Sequence, residues 1–277
     1  MNPKVIDISR YQQFPADGFA RAHAFGIRGC VHKATEATGG VETLYAPRRV
    51  AAKAAGLLWG AYHFIRPVSV AAQVDVFLRV AQPDENTLLM LDYEVSNVSL
   101  GQAQQFMELV DGKTWPGACV VYSGNTIKEK LGNTVNSWWG KRRLWLAQYS
   151  NHWQVQASWH RYWLWQYTGD GAGPLPHSVP GIGSNIDISQ WDGTDAELHD
   201  QWTGKIQGAE PAPTIIHDTA WVQDALNKLG QSPPLAVDGD QGPLTTAAIK
   251  AFQTKAGIAD DGVVGPITLD KLEAALP

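Results

Sequence analysis

Eight short apolar, β-rich runs precede residue 190, and their spacing constrains the fold more than any other property of the chain. They fall at 4–9, 29–34, 58–64, 88–94, 119–123, 144–149, 163–168 and 185–189. The first five begin 25 to 31 residues apart, which is room for a strand and a crossover helix. Helix-like segments occupy these gaps near 17–25, 47–55, 69–81 and 99–111, with a shorter one near 125–131. The Ala-rich stretch from Pro47 to Ala55, followed by Gly56, carries both a start and a stop signal. The gap 169–184 has too much Gly and Pro for a helix, and 150–162 has little helical pattern. Apolar runs of this kind read as parallel strands buried on both faces. Five βα units and three loop-connected strands therefore predict a closed β/α barrel that lacks its last helices.

The composition changes after residue 203. Gly204 to Pro213 reads as a linker, and the rest looks entirely helical, with helices near 218–229, 243–256 and 266–275. The expected division is a barrel over 1–203, a linker over 204–214 and a small domain over 215–277. The small domain contains a repeat, Asp238-Gly239-x-x-Gly242-Pro243-x-Thr245 and Asp261-Gly262-x-x-Gly265-Pro266-x-Thr268, and each copy opens a helix. It also holds 4 basic and 8 acidic residues against 18 and 19 in residues 1–214, so most of the net charge of −5 belongs to it.

Several classes of protein are disfavoured. No run of 18 apolar residues is present, and Met1-Asn2-Pro3-Lys4 passes straight into Val5-Ile6-Asp7-Ile8 without a leader pattern; neither membrane insertion nor an export signal is expected. Mild acidity argues against a nucleic-acid partner. Cys30 and Cys119 are too few for a disulfide framework, and no Cys/His spacing resembles a zinc site, so neither a metal nor another cofactor is expected. Strand parity turns both cysteines toward the outer helices, three residues from Lys33 and Tyr122 respectively. The 12 Trp imply an aromatic core or a surface that stacks on sugars; Trp138 and Trp139, in a polar stretch, fit either.

Enzymes built on such barrels place catalytic groups at the C-terminal ends of strands. Polar residues collect there: Asp7; Lys33, with Glu36 beyond it; Tyr62 and His63; Asp92 and Glu94; Tyr122; Gln148 and Tyr149; Gln166 and Tyr167; and Asp187 in the last run. A buried carboxylate without a partner is costly, so four acids in apolar strands need an explanation, and Lys33 is the only cation close by pattern. Asp92 and Glu94, two apart in a strand, share a face with about 6.6 Å of rise between them. Carboxylates so placed raise each other's pKa and keep one protonated near neutral pH, which is the equipment of a glycosidase. His63 reads as a hydrogen-bonded wall residue rather than a proton shuttle.

Six ordered motifs resemble glycoside hydrolase family 25, the lysozyme-like muramidases of phage endolysins and bacterial autolysins. They are Asp7-Ile8-Ser9-x-Tyr11-Gln12, Lys33-Ala34-Thr35-Glu36, Gly60-Ala61-Tyr62-His63-Phe64, Leu91-Asp92-Tyr93-Glu94, Trp165-Gln166-Tyr167-Thr168 and Asn185-Ile186-Asp187. The resemblance implies an α/β fold, a modified TIM-like (β/α)5β3 barrel, here followed by a small all-α three-helix domain. It also implies cleavage of the β-1,4 bond between N-acetylmuramic acid and N-acetylglucosamine. Glu94 would be the general acid/base, Asp92 would stabilise the developing positive charge, and Asp7 and Asp187 would complete the acidic ring. Lys33, Tyr62 and Tyr122 match positions that line the sugar subsite, and Gln148, Tyr149 and Gln166 join them as expected substrate contacts. Retaining, inverting and substrate-assisted routes are all compatible with the sequence.

Two departures stand out: Ala37 replaces the usual Gly after Lys-x-Thr-Glu, and 38–42 lack the usual aromatic-x-Asp spacing. A chitinase signature would need Asp where this chain has Met90. The C-terminal region resembles the peptidoglycan-binding type 1 module. The expected protein is thus a monomeric muramidase with peptidoglycan as its partner. It would be a phage endolysin, made in the host cytoplasm and acting on the wall after holin- or lysis-mediated release. The rival reading is a non-catalytic wall-glycan-binding protein on a degenerate barrel.

Overall fold

A computed structural model describes residues 2–204, 219–258, 260, 262, 264 and 266–276. The chain divides into two compact units, Met1–Glu210 and Pro211–Pro277. Apart from Gly204, the linker expected at 204–214 lies outside the described residues.

In the first unit the chain runs β1 (Pro3–Ile8), α1 (Gly18–Phe25), β2 (Gly29–Glu36), β3 (Gly40–Val41), α2 (Tyr45–Ala54), β4 (Leu58–Phe64), α3 (Val70–Ala81), β5 (Thr87–Asp92), α4 (Leu100–Lys113), β6 (Cys119–Ser123), α5 (Asn125–Leu131), α6 (Ser137–Gly140), β7 (Leu144–Ala147), β8 (Leu164–Thr168), β9 (Ser178–Val179), β10 (Gly183–Ser184), β11 (Asp187–Gln190) and α7 (Asp195–Gln201). The order β1-β11-β8-β7-β6-β5-β4-β2, with β1 also paired to β2, closes an eight-stranded barrel. All eight expected runs supply its staves. The additions are the short β3, the β9–β10 hairpin, α6 and α7.

Helix ends follow local chemistry. Ser99 and Gln102 form a reciprocal capping box at α4, Thr194 and Glu197 do the same at α7, and Ser69 caps α3.

One expectation needs correction. The last stave, β11, is antiparallel to both β1 and β8. A parallel pair needs a long crossover, whereas the loop from 169 to 186 brings the chain back along β8 without one. The reversal puts the first residue of β11, Asp187, at the end of the barrel where the other strands finish, opposite Asp7 in register.

Alternation along the staves divides the core into two layers. Outward residues such as Cys30, Leu89, Leu91, Cys119 and Val121 pack with the helices, so both cysteines face outward as parity predicts, and both are buried free thiols. Inward residues Val5, Val31, Leu88, Met90, Val120, Trp145 and Leu164 fill the barrel. Trp163, Trp191, Trp202 and Leu198 join this inner cluster at the end where the parallel strands begin. Trp202 donates from Nε1 to Trp59 O at 2.9 Å, and a Cβ on Gly29 would fall 2.5 Å from its ring. Eight Trp are buried (59, 139, 145, 159, 163, 165, 191 and 202), which makes the tryptophan content largely core. Trp138 is half-buried, packed edge-on against Trp139 and under the Arg142 guanidinium.

The second unit contains α8 (Thr219–Lys228), α9 (Pro243–Lys255) and α10 (Pro266–Ala275) around Val222, Leu226, Ile249 and Leu272. The Asp-Gly repeat is part of its architecture. Buried Gln223 donates to Asp238 Oδ1 (2.8 Å) and Asp240 O (3.0 Å) and accepts from the Asp238 and Gly239 amides (3.1 and 3.0 Å). Buried Gln253 accepts from the Gly262 amide (2.8 Å) and donates to Thr268 Oγ1 (3.1 Å). In each copy a helix glutamine stitches down the following loop. Asp261 and Gly265 of the second copy lie outside the described residues.

Candidate active site

Inward parity carries Asp7, Lys33, Tyr62, Asp92, Tyr122 and Gln166 to one end of the barrel, one step above the apolar fill. Asp7 is only 7% exposed, and its Oδ2 accepts from Gln166 Nε2 at 2.7 Å. Gln166 Oε1 accepts from the Tyr122 hydroxyl, also at 2.7 Å. This buried chain orients the Asp7 carboxylate and fixes the glutamine amide in one sense.

Asp92 ends β5 and is buried, whereas Glu94 lies two residues past the strand and is exposed at the rim. The expectation that both sit within the strand is therefore corrected. Tyr93 between them is buried outward, its hydroxyl donating to Val98 O at 2.8 Å, and this fixes where the chain leaves the sheet. The two acids differ in environment, which is the condition for dividing roles between them.

Electrostatics bind the acids into one group. Burial first, then Asp187, Glu94 and Asp170, push Asp7 well above the usual carboxylate range, while the Gln166 hydrogen bond works the other way. Burial, Glu94 and Asp7 raise Asp92, against the pull of Lys33. Burial and Asp170 raise Asp187 to about 7, offset in part by the Asp170 backbone amide. Glu94 keeps part of its surface open to solvent, but the inner side of its carboxyl is crowded, and this burial first and Asp170 second raise it above the usual carboxylate range. Asp92 Oδ1 and Asp187 Oδ1 are buried acceptors without a hydrogen-bond partner. Each such orphan costs about 1–3 kcal/mol unless a ligand donor meets it.

Asp170 is the site residue that sequence reasoning missed. It sits in the Gly-rich turn after β8 with φ of +51°, a left-handed conformation that non-glycine residues adopt at a cost. The turn is packed tightly: a Cβ on Gly169 would fall 2.4 Å from the Tyr149 hydroxyl and 2.5 Å from Asp187 Oδ1. Asp170 reaches Glu94, Asp187 and Asp7 electrostatically, making a fifth carboxylate at the mouth. Its position at the end of a barrel strand was the available signal.

The expected substrate contacts divide. Tyr62, Tyr122 and Tyr149 stand among the acids, each with its phenol pushed up first by burial and then by neighbouring carboxylates. Lys33 points inward but pairs with Glu36 at 2.5 Å, and Glu36 also takes Arg66 Nε at 2.9 Å. Burial alone would raise Glu36, but these two cations hold it below the usual range. Gln148 is not part of the acidic cluster. Its Oε1 accepts from Lys128 Nζ (2.8 Å) and the Gln154 amide (3.1 Å), and its Nε2 donates to His152 O (3.0 Å), so the side chain braces a loop. His63 is a wall residue, bonded to Thr35 Oγ1 (2.7 Å) and Gln73 Oε1 (3.1 Å) and stacked on Phe106; burial pushes it down to about 4. Ala37, where Gly was expected from the resemblance, holds φ of +50°.

Comparison with known proteins agrees with this geometry. The model for glycosyl hydrolases family 25 matches residues 6–174, and a model for peptidoglycan-binding domains matches residues 217–272. An autolytic lysozyme of Clostridium acetobutylicum is 28% identical over 247 residues, covering 84% of this chain and 68% of its own length. The bacterial lysozyme of Streptomyces coelicolor shares the fold, with a TM-score of 0.62 at 24% identity over 72% of this chain and 95% of that one. A muramidase from Acremonium alcalophilum superposes with a TM-score of 0.61 at 27% identity, over 74% of this chain and all of that one (100%). The chain belongs to glycosyl hydrolases family 25: it is a glycoside hydrolase whose barrel is followed by a region matching peptidoglycan-binding domains.

Proposed function

We propose that the barrel cleaves the β-1,4 bond between N-acetylmuramic acid and N-acetylglucosamine in bacterial peptidoglycan, with Glu94 delivering the proton to the leaving oxygen. The contrast between Glu94 and its neighbours carries this reading. Glu94 is exposed at the rim, where a glycosidic oxygen can reach it, and its carboxyl is raised toward the protonated form. Asp92 and Asp187 each keep a buried, unpartnered oxygen that a sugar hydroxyl or acetamido N–H would satisfy. Asp92, held deeper, is placed to stabilise positive charge developing at the ring, and Asp7, fixed by Gln166, completes the field. The region matching peptidoglycan-binding domains would hold the barrel on its polymer and raise the local concentration of cleavable bonds.

We further propose that the protein acts as a monomeric phage endolysin, reaching the wall after holin- or lysis-mediated release. Joining a wall-binding region to a wall-cleaving barrel supports that role.

Incubation of the purified protein with peptidoglycan, followed by reducing-end assay and mass spectrometry, tests the chemistry. New reducing ends on N-acetylmuramic acid are expected. Cut peptide bonds, new ends on N-acetylglucosamine, or binding without release would overturn it. Expression with and without a holin, read as culture turbidity, tests the lytic role; lysis only with the holin is expected.

A further inference from the structure

Tyr11 is 73% exposed on the turn that follows β1, four residues past Asp7. An exposed aromatic on a loose loop would mean little, but this turn is held from several sides. The Ser9 amide donates to Gln12 Oε1 at 2.8 Å, and Gln13 Nε2 donates to Arg10 O at 2.8 Å. The Arg48 guanidinium donates to Ser9 O at 2.6 Å and to Gln12 O, and approaches His32 Nε2 at 3.1 Å. Glu42, a buried carboxylate, accepts from the Arg10 amide at 3.2 Å and from its guanidinium at 3.3 Å. The structure thus uses a buried acid and a partly buried arginine to fix a turn whose apex is a solvent-facing ring.

The ring itself is braced. The Arg10 guanidinium carbon lies 5.1 Å from the Tyr11 ring centroid and the guanidinium donates to the Tyr11 hydroxyl at 3.2 Å. β1 ends at Ile8, one residue past Asp7, so the turn leaves the barrel at the end that carries the acids. An aromatic face held rigidly at low entropic cost is what the apolar C–H face of a pyranose stacks on, and rigid elements around a site are where binding precision is built.

We propose that Tyr11, braced by Arg10, is a stacking platform for a sugar ring of the glycan strand flanking the cleaved bond, outside the acidic cluster. The adjacent guanidinium suits a polymer whose stem peptides carry carboxylates. This inference rests on the muramidase reading and adds a subsite to it. The stacked sugar is not the one undergoing chemistry, so its contribution belongs to binding and grows when the substrate is long enough to reach it.

The test compares kcat and KM of the full chain, Tyr11→Ala and Tyr11→Trp on soluble peptidoglycan glycan fragments of increasing length. For Tyr11→Ala, KM should rise about tenfold on long fragments, with kcat within about twofold and unchanged thermal unfolding. On the shortest cleavable fragment Tyr11→Ala should match the wild type, and Tyr11→Trp should retain the wild-type KM throughout. Equal KM values for Tyr11→Ala at every length, a Trp variant as poor as Ala, or a loss of kcat together with thermal stability would each overturn the platform. If the wild type releases no sugar, the muramidase reading fails separately. Calorimetric titration of the same fragments then decides the platform: a Kd about tenfold weaker for Tyr11→Ala supports it and equal Kd values overturn it.

Discussion

Gln166 donates from Nε2 to Asp7 Oδ2 at 2.7 Å, and both side chains are buried across the barrel mouth. Because its Oε1 is taken by the Tyr122 hydroxyl, the amide has one orientation, and Asp7 is aimed by a residue that need not touch the reacting bond. Gln166→Leu would leave Asp7 and Tyr122 without these partners. We expect kcat/KM on peptidoglycan to fall by about 10- to 100-fold, the usual cost of misplacing a catalytic group. A wild-type rate would show that Asp7 needs no orientation.

Glu94→Gln keeps shape and hydrogen bonding but removes the transferable proton. Activity should fall by at least about 100-fold, the usual contribution of general acid catalysis, while the melting temperature stays within about 1–2 °C because Glu94 is exposed at the rim. Reducing-end release and calorimetry on the same sample give both numbers.

The acids should lower stability at neutral pH. Asp187 has a folded pKa of about 7 against 3.8 for the free side chain, so between those values the folded state holds more protons than the unfolded one, and stability falls as pH rises. Asp187→Asn should therefore raise the melting temperature at pH 8 by roughly 2–4 °C. The gain should vanish below about pH 4, where the carboxyl is protonated in both states. A gain independent of pH would refute the electrostatic explanation.

Asp170 should shape the pH–rate profile. A general acid works while protonated, so activity is lost as pH climbs through its pKa. Burial of the inner side of the Glu94 carboxyl raises it first, and the negative charge of Asp170 adds to that. Asp170→Asn should move the basic limb of kcat toward lower pH. A basic limb that stays in place or moves upward would remove Asp170 from this role.

The helical unit offers an independent check. Gln223 satisfies two loop amides and donates to two loop acceptors, so Gln223→Ala should destabilise that unit by about 2–3 kcal/mol. Calorimetry should show a lower transition for this unit with the barrel transition unmoved, and binding to insoluble peptidoglycan should weaken in step.

The sequence showed the staves of the barrel because burial on both faces forces apolar runs at crossover spacing. It also showed Asp7, Asp92 and Gln166 through strand-end position. It did not show the direction of β11, since periodicity is blind to polarity; that direction is what brings Asp187 to the mouth at the start rather than the end of its strand. Asp170 was hidden because a left-handed turn residue has no periodic signature, and Gln148 was misplaced because strand ends also face the helices that pack beside them, where Lys128 claims its amide. The Asp-Gly repeat announced helix starts, but its buried glutamines lie up to 22 residues away from what they bind.

The cluster of Trp163, Trp191, Trp202 and Leu198 stoppers the barrel at the end away from the acids. With the barrel filled by side chains and its far end stoppered, a substrate can reach the acids only from the open end. On the muramidase reading proposed above, a glycan strand would therefore meet the acids from outside the barrel, at its open end alone.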